Sequence, residues 1–154
     1  EFRRVLFRSD AVANQIKNTL GINAEGDSYP TFSDIRDRVT DRTIATAFRS
    51  GWMLDYPSAE DYLTPLYSSA SADGHGSNDG DYKSPKFDQE LADALSQTDE
   101  SKRTVALQEA QETLLQDLPS IPLWCDNVAA VSAQNVKNVQ FDYTNMPTYN
   151  TITK

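Results

Sequence analysis

The stretch GWMLDYPSAEDYLTPLY, residues 51–67, joins two predicted elements and places a carboxylate in the connection between them. Gly51 ends a predicted strand, and the spacing of Ser58 and Asp61 is that of a helix capping box. Asp55 lies between them, with apolar residues on both sides. A carboxylate in apolar surroundings loses hydration, and a cation or hydrogen-bond donors must compensate for that loss. The stretch therefore predicts a strand-to-helix connection, and it leaves open which group compensates the Asp55 carboxylate.

The sequence before this stretch alternates between helical and extended patterns. Apolar residues at helical spacing predict helices over residues 10–20 and 31–39, the first ending at Gly21. Residues 22–29 and 43–52 have the composition of strands. Helix, strand, helix and strand at these lengths predict an α/β unit with a mostly parallel sheet.

Two longer helices are predicted over residues 84–97 and 99–119. A serine N-cap followed by proline begins the first, and a proline ends the second. Asp99 and Arg103, four residues apart, are expected to form an ion pair that supports the start of the second helix. The residues predicted to face inward are Phe87, Leu91, Ala94, Leu95, Leu107, Ala110, Leu114 and Leu118.

Composition limits the classes of function. The chain has 154 residues, 38% of them hydrophobic, and a formal charge of −9, which argues against nucleic acid or an anionic lipid surface as partner. Cys125 is the one cysteine, so an internal disulfide is excluded and a cysteine-based metal site is not expected. Cys125 itself is expected to be a small buried residue. His75, the one histidine, lies in a Gly/Asp-rich run, which argues against nucleophile–histidine catalysis. We expect no metal and no cofactor.

The run that contains His75, residues 68–82, predicts a solvated loop. Counted from Asp73, Asn78 stands where an EF-hand requires glycine. Counted from His75, Lys86 stands where the bidentate glutamate belongs. A loop is therefore favoured over a calcium site.

The first nine residues, EFRRVLFRS, differ from the rest because they contain three arginines and one glutamate in an otherwise acidic chain. They resemble the translation of a short-read sequencing adapter. Residues 1–9 are therefore expected to be a non-native lead-in, with native sequence beginning at Asp10 within a longer reading frame. A natural basic, amphipathic lead-in is the alternative.

Four pieces between Trp52 and Trp124 occur in an order that resembles one family. They are GWMLDYPSAEDYLTPLYSS, YKSPKFDQELADAL, DESKRTVALQEAQETLLQD and PSIPLW. The set resembles the C-terminal lobe of the extracytoplasmic oligopeptide- and dipeptide-binding proteins of ABC importers, solute-binding protein family 5. The resemblance implies part of an α/β, two-lobe periplasmic-binding-protein type II fold. Residues 10–124 would form the C-terminal ligand-binding lobe, and residues 125–154 would return toward the N-terminal lobe.

The family resemblance also implies a function. The protein would bind an oligopeptide or dipeptide in the cleft between two lobes and deliver it to an ABC permease, without catalysis. It would be an extracytoplasmic monomer, attached to the membrane only through a lipid anchor. Asp55 would hold the α-ammonium group of the peptide, Gly51 and Met53 would offer backbone hydrogen bonds, and Trp52 would form the wall of a side-chain pocket.

The residues leave alternatives open. Asp55 could cap the turn at Tyr56 or pair with Arg49, and Trp52 could be core. The same fold serves proteins that bind nickel complexes, sugars or haem. A carboxylate-type hydrolase would use Asp55 with Glu60 or with the next residue, Asp61, although both acids also suit a helix N-terminus. An acidic interaction domain with an aromatic docking surface is a further alternative.

Overall fold

A computed structural model describes residues 2–154 of the chain, with side chains from Arg8 onward. The chain divides into two compact units, of which the first ends at Gly51 and the second spans Trp52–Lys154. The α-helices within residues 2–154 are α1 (Phe2–Leu20), α2 (Phe32–Thr40), α3 (Glu60–Tyr67), α4 (Pro85–Ser96) and α5 (Glu100–Asp117). Short 3₁₀ turns occupy Ser69–Ser71 and Tyr149–Thr151.

Both predicted helices of the first unit form, although α1 begins at Phe2 and not at the predicted start, Asp10. Gly21 follows α1 with a φ of +68°, and its N–H donates to the Lys17 carbonyl at 3.1 Å, so the predicted C-cap is confirmed. Thr31 caps α2, with its hydroxyl accepting from the Asp34 N–H at 3.2 Å. The predicted apolar face of α2 is only partly buried, since Val39 is 2% exposed and Phe32 is 79% exposed.

The strands predicted over residues 22–29 and 43–52 are not formed. Within residues 2–154, β-pairing is limited to isolated antiparallel bridges, Lys137 with Thr153 and Phe141 with Pro147. β-Branched residues favour extended backbone, but a strand becomes part of a sheet only when a neighbour pairs with its N–H and C=O groups. No such neighbour lies along these segments in this part of the chain, so the expected parallel sheet is not found there.

The core of the second unit lies between α4 and α5, with a contribution from α3. Its buried residues are Leu63, Phe87, Leu91, Ala94, Leu107, Ala110 and Leu114. Most of the predicted inward-facing residues are thus confirmed. Leu95 is only partly buried. Leu118 is 52% exposed because α5 ends at Asp117 and Leu118 turns into left-handed backbone with a φ of 50°.

The caps of α4 and α5 follow the sequence closely. The Ser84 hydroxyl accepts from the Phe87 N–H at 3.4 Å, as predicted for the start of α4. Asp99 caps α5 by accepting from the Lys102 N–H at 3.0 Å. The predicted ion pair between Asp99 and Arg103 is wrong, because the Asp99 carboxylate caps the helix and the Arg103 guanidinium pairs with Glu60 instead.

The segment 68–82 is more ordered than a solvated loop. Asn78 is 2% exposed, and its amide group donates to the carbonyls of Ser68 at 3.0 Å and Tyr82 at 2.8 Å. Its carbonyl oxygen accepts from the Tyr82 N–H at 3.1 Å. Asn78 thereby closes the segment, and the prediction of full solvation is wrong, although His75 is exposed.

Most of the chain that follows α5 has no regular secondary structure and is exposed. Residues 121–130 are all exposed, and they include apolar side chains such as Ile121 at 70%. Cys125 is exposed too, so its predicted burial is wrong. None of the helices within residues 2–154 has both the length and the apolar character that crossing a membrane requires.

Candidate functional site

One of the residues predicted to contact a ligand belongs to the first unit, and the others precede α3 in the second unit. Gly51 is the exposed last residue of the first unit. In the second unit, Trp52 is half-buried, Met53 is 60% exposed and Asp55 is exposed. We call residues 52–56 the Trp52–Tyr56 loop.

Asp55 does not lie in an apolar environment, so the expectation of a poorly hydrated carboxylate is wrong. Its neighbours in sequence do not enclose it, since Tyr56 is 43% exposed and Met53 is also exposed. Within the second unit, no group bonds to the Asp55 carboxylate, and the alternative in which it caps the following turn has no hydrogen bond to support it there. Asp55 is therefore an anion open to solvent and to any ligand.

The buried carboxylate of this region is Asp61, in the first turn of α3. Asp61 is 4% exposed, and its Oδ2 accepts from the Asp55 N–H at 2.8 Å and from the Trp52 indole N–H at 3.2 Å. The predicted capping box is not formed, because the Ser58 hydroxyl accepts from the Glu60 N–H at 3.3 Å. The Asp61 side chain instead bonds to the Trp52–Tyr56 loop.

Tyrosine hydroxyls hold the same loop at its carbonyl groups. The Tyr62 hydroxyl donates to the Trp52 carbonyl at 3.5 Å, and the Tyr143 hydroxyl donates to the Asp55 carbonyl at 3.2 Å. Both peptide groups of Asp55 are thus occupied, and its carboxylate is the group that remains available. Within the second unit, the backbone N–H and C=O of Met53 make no hydrogen bond.

Next to the loop, Glu60 and Arg103 form an ion pair that connects α3 to α5, with side chains 22% and 36% exposed. Partial burial raises the pKa of the Tyr56 phenol, and the negative charges of Glu60 and Asp61 raise this pKa further. Tyr56 is therefore a neutral hydrogen-bonding group at physiological pH.

The carboxylate-hydrolase alternative requires a second free acid beside Asp55. Asp61 is buried with Oδ2 already bonded, and Glu60 is paired with Arg103. Neither is placed as a free general acid or base facing a shared void. Among the described residues, no group of three or more His, Cys, Asp or Glu side chains is arranged to hold a metal ion.

The sequence does not predict the contacts that two residues of this region make, Asp61 and Tyr143. The sequence offers Asp61 as a helix N-terminal charge, a capping-box member or a hydrolase acid, and only its position in the first turn of α3 indicates a role near the loop. Tyr143 contacts Asp55 across 88 residues, a separation that no local pattern reveals.

Comparison with known proteins gives the class. No protein-family model matches the chain. The periplasmic oligopeptide-binding protein OppA of Salmonella typhimurium is 32% identical over 116 residues, which cover 74% of this chain and 20% of that protein. The glutathione-binding protein GsiB of Pectobacterium atrosepticum is 25% identical over 104 residues, which cover 68% of this chain and 20% of that protein.

A third relative matches over a shorter range. The probable ABC transporter periplasmic-binding protein SapA of Escherichia coli is 38% identical over 74 residues, or 48% of this chain and 13% of that protein. The chain thus spans 20% of the length of the first relatives it matches. Over the matched residues it is homologous to periplasmic solute-binding proteins. Within that class, it is a homologue of family 5, the oligopeptide-binding group, which confirms the resemblance expected from the sequence.

Proposed function

We propose that this chain is the C-terminal, ligand-binding part of an extracytoplasmic protein that binds peptides for an ABC importer. The observation that carries the proposal is the 32% identity over 116 residues to a periplasmic oligopeptide-binding protein. The relatives' names describe binding proteins, which supports a role in binding without catalysis. The ABC permease partner is proposed from the name of SapA.

We place the chain in one lobe of a two-lobe α/β fold of periplasmic-binding-protein type II. Residues 10–124 would form the lobe, and residues 125–154 would return to the N-terminal lobe. Exposed apolar residues support this placement, since Ile121 and Val131 are 70% and 101% exposed and lack the cover that apolar side chains gain in a complete core. Segment 43–52, which forms no β-bridge among the described residues, is likewise a candidate strand for a sheet that other residues of the full protein would complete.

The proposed ligand site uses the Trp52–Tyr56 loop and Gly51. The exposed Asp55 carboxylate would pair with the α-ammonium group of a peptide, and the unpaired backbone groups of Met53 and Gly51 would bond to the peptide backbone. Trp52 would form the wall of a side-chain pocket, with its indole N–H directed to Asp61. Closure of a second lobe would exclude water and strengthen the ion pair.

The attachment and assembly of the protein are proposals that rest on the family alone. A lipid anchor outside these residues would be the sole membrane contact, and the protein would act as a monomer. The word periplasmic in the names of the relatives supports an extracytoplasmic location.

Calorimetry on the full gene product tests the function. One oligopeptide is titrated as the free form, as the N-acetylated form and as the C-terminal amide. Acetylation removes the ammonium group, so we expect the dissociation constant to rise about tenfold or more, since a hydrogen bond to a charged group contributes roughly 1.5–3 kcal/mol. The amide controls for the other terminus. Equal affinity for free and acetylated peptide would contradict the role of Asp55, and no binding of any peptide would contradict the function.

A further inference from the structure

A buried carboxylate lies directly behind the proposed ligand site, in a position that ligand contact does not explain. Asp61 is 4% exposed, and within the second unit its carboxylate accepts hydrogen bonds from neutral N–H groups of the Trp52–Tyr56 loop. Burial of a carboxylate is costly unless hydrogen bonds replace its water. Charge-assisted hydrogen bonds are roughly twice as strong as neutral ones, so these contacts hold the loop firmly.

The geometry of the Asp61 contacts is specific. One oxygen, Oδ2, accepts from the backbone N–H of Asp55 at 2.8 Å and from the indole N–H of Trp52 at 3.2 Å. The first bond fixes the peptide plane from which the Asp55 side chain extends. The second fixes the direction of the Trp52 ring. A single buried atom thus sets the positions of the proposed ammonium acceptor and the proposed pocket wall together.

We propose that Asp61 is a positioning residue that makes the site selective for a free amino terminus, by holding Asp55 and Trp52 in their binding arrangement before the ligand arrives. The inference rests on the proposed peptide-binding function. A loop that is already ordered in the free protein loses less conformational entropy when the ligand binds. Without Asp61, the Asp55 carboxylate is still present but no longer has a defined position. The difference in affinity between a peptide with a free amino terminus and one with a blocked amino terminus therefore becomes smaller.

The test uses Asp61→Ala and Asp61→Asn in the full gene product. Alanine removes the acceptor, whereas asparagine keeps a carbonyl oxygen that can accept both bonds. Asp88→Ala is the matched control, because the Asp88 carboxylate also accepts a backbone N–H, from Ser69 at 2.9 Å, but bonds to a different segment. The ligands are one oligopeptide with a free and with an acetylated amino terminus, and the readout is the ratio of their dissociation constants.

We expect Asp61→Ala to reduce this ratio about tenfold, the scale of one lost hydrogen bond to a charged group. Asp61→Asn is expected to keep the ratio within about threefold of the wild type, and Asp88→Ala is expected to leave it unchanged. A wild-type ratio in Asp61→Ala would overturn the inference. An equal loss in Asp61→Asn and Asp61→Ala would also overturn it, since charge and not positioning would then be responsible.

Hydrogen exchange without ligand separates this inference from the proposed function. In the wild type, the Asp55 amide and the Trp52 indole N–H should exchange slowly, and Asp61→Ala should speed both by about tenfold or more while Asp61→Asn does so much less. Unchanged exchange in Asp61→Ala would overturn the positioning role whatever the protein binds. A wild type that binds no peptide, with the expected exchange pattern, would contradict the function and leave the Asp61 contacts in place.

Discussion

Asp55 and Asp61, six residues apart, are joined by a hydrogen bond from the Asp55 N–H to Asp61 Oδ2 at 2.8 Å, yet their carboxylates occupy opposite environments. Asp61 is 4% exposed, and Asp55 is exposed. In the proposed site, the buried acid would hold the loop and the exposed acid would be available to a ligand.

The packing of α4 on α5 predicts a large difference between two leucine truncations. Leu91→Ala removes a side chain that is 4% exposed, whereas Leu115→Ala removes one that is 54% exposed. We expect losses of unfolding free energy of about 3 kcal/mol and less than about 1 kcal/mol, because only the first leaves a cavity in the core. Chemical denaturation of the chain measures both. Similar losses for the two variants would contradict the assigned core.

The ion pair of Glu60 with Arg103 predicts measurable coupling between α3 and α5. A double-mutant cycle with Glu60→Gln and Arg103→Met should give about 0.5–1 kcal/mol, a modest value because both side chains are partly solvated and screened. The Asp73–Lys83 pair, with side chains 57% and 51% exposed, is the comparison and should give less than about 0.5 kcal/mol. Coupling no larger for the first pair than for the second would refute this prediction.

The hydrogen bonds of Asn78 predict that the stability of segment 68–82 depends on this one side chain. Asn78→Ala leaves the carbonyls of Ser68 and Tyr82 without their amide donor in a buried position, so we expect a loss of about 2–4 kcal/mol. Asn150→Ala, at an exposed position, should change stability by less than about 0.5 kcal/mol. Urea unfolding compares the two, and a loss below about 1 kcal/mol for Asn78→Ala would show that the segment is held by other contacts.

Tyr82 predicts a loss of stability in alkali. Burial raises the pKa of Tyr82 above its ordinary value of 10.0, and the hydrogen bond from its hydroxyl to Asp117 raises it further. The folded state then holds the phenol proton more tightly than the unfolded state. The resulting stabilisation is present below pH 10.0 and is lost as pH rises through the raised pKa.

Urea unfolding at a series of alkaline pH values checks this. The unfolding free energy of the wild type should fall with pH more steeply than that of Tyr82→Phe. The slope that remains in the variant should include Tyr56, whose pKa is also raised. Parallel slopes in wild type and variant would show that Tyr82 does not titrate differently in the two states.

The helices of the second unit could be predicted from the sequence because their determinants are local. Predictions over 84–97 and 99–119 correspond to α4 (Pro85–Ser96) and α5 (Glu100–Asp117), and the Ser84 cap is confirmed. Helix hydrogen bonds join residues four apart, so spacing and capping residues carry most of the information. A strand depends on a pairing partner elsewhere in the chain, and residues 43–52 form no β-bridge among the described residues.

The site was harder to predict, because burial is a property of the fold and not of the neighbouring residues in sequence. Asp55 stands among apolar residues and is nevertheless exposed, whereas Asp61 follows Glu60 and is buried. The partner of Arg103 is Glu60, 43 residues away, and not the nearby Asp99. Such long-range contacts decide which acid is exposed and which is buried or paired. The local spacing of residues does not predict them.

In the proposed site, the Asp55 carboxylate recognises a free amino terminus. The most direct measurement is calorimetry on Asp55→Asn in the full gene product, with the free and the N-acetylated form of one oligopeptide. Glu112→Gln is the control, because it removes one negative charge from an exposed position on α5. We predict that Asp55→Asn weakens binding of the free peptide by about tenfold to a hundredfold and leaves the acetylated peptide nearly unchanged. Equal affinities of wild type and Asp55→Asn for the free peptide would contradict the claim.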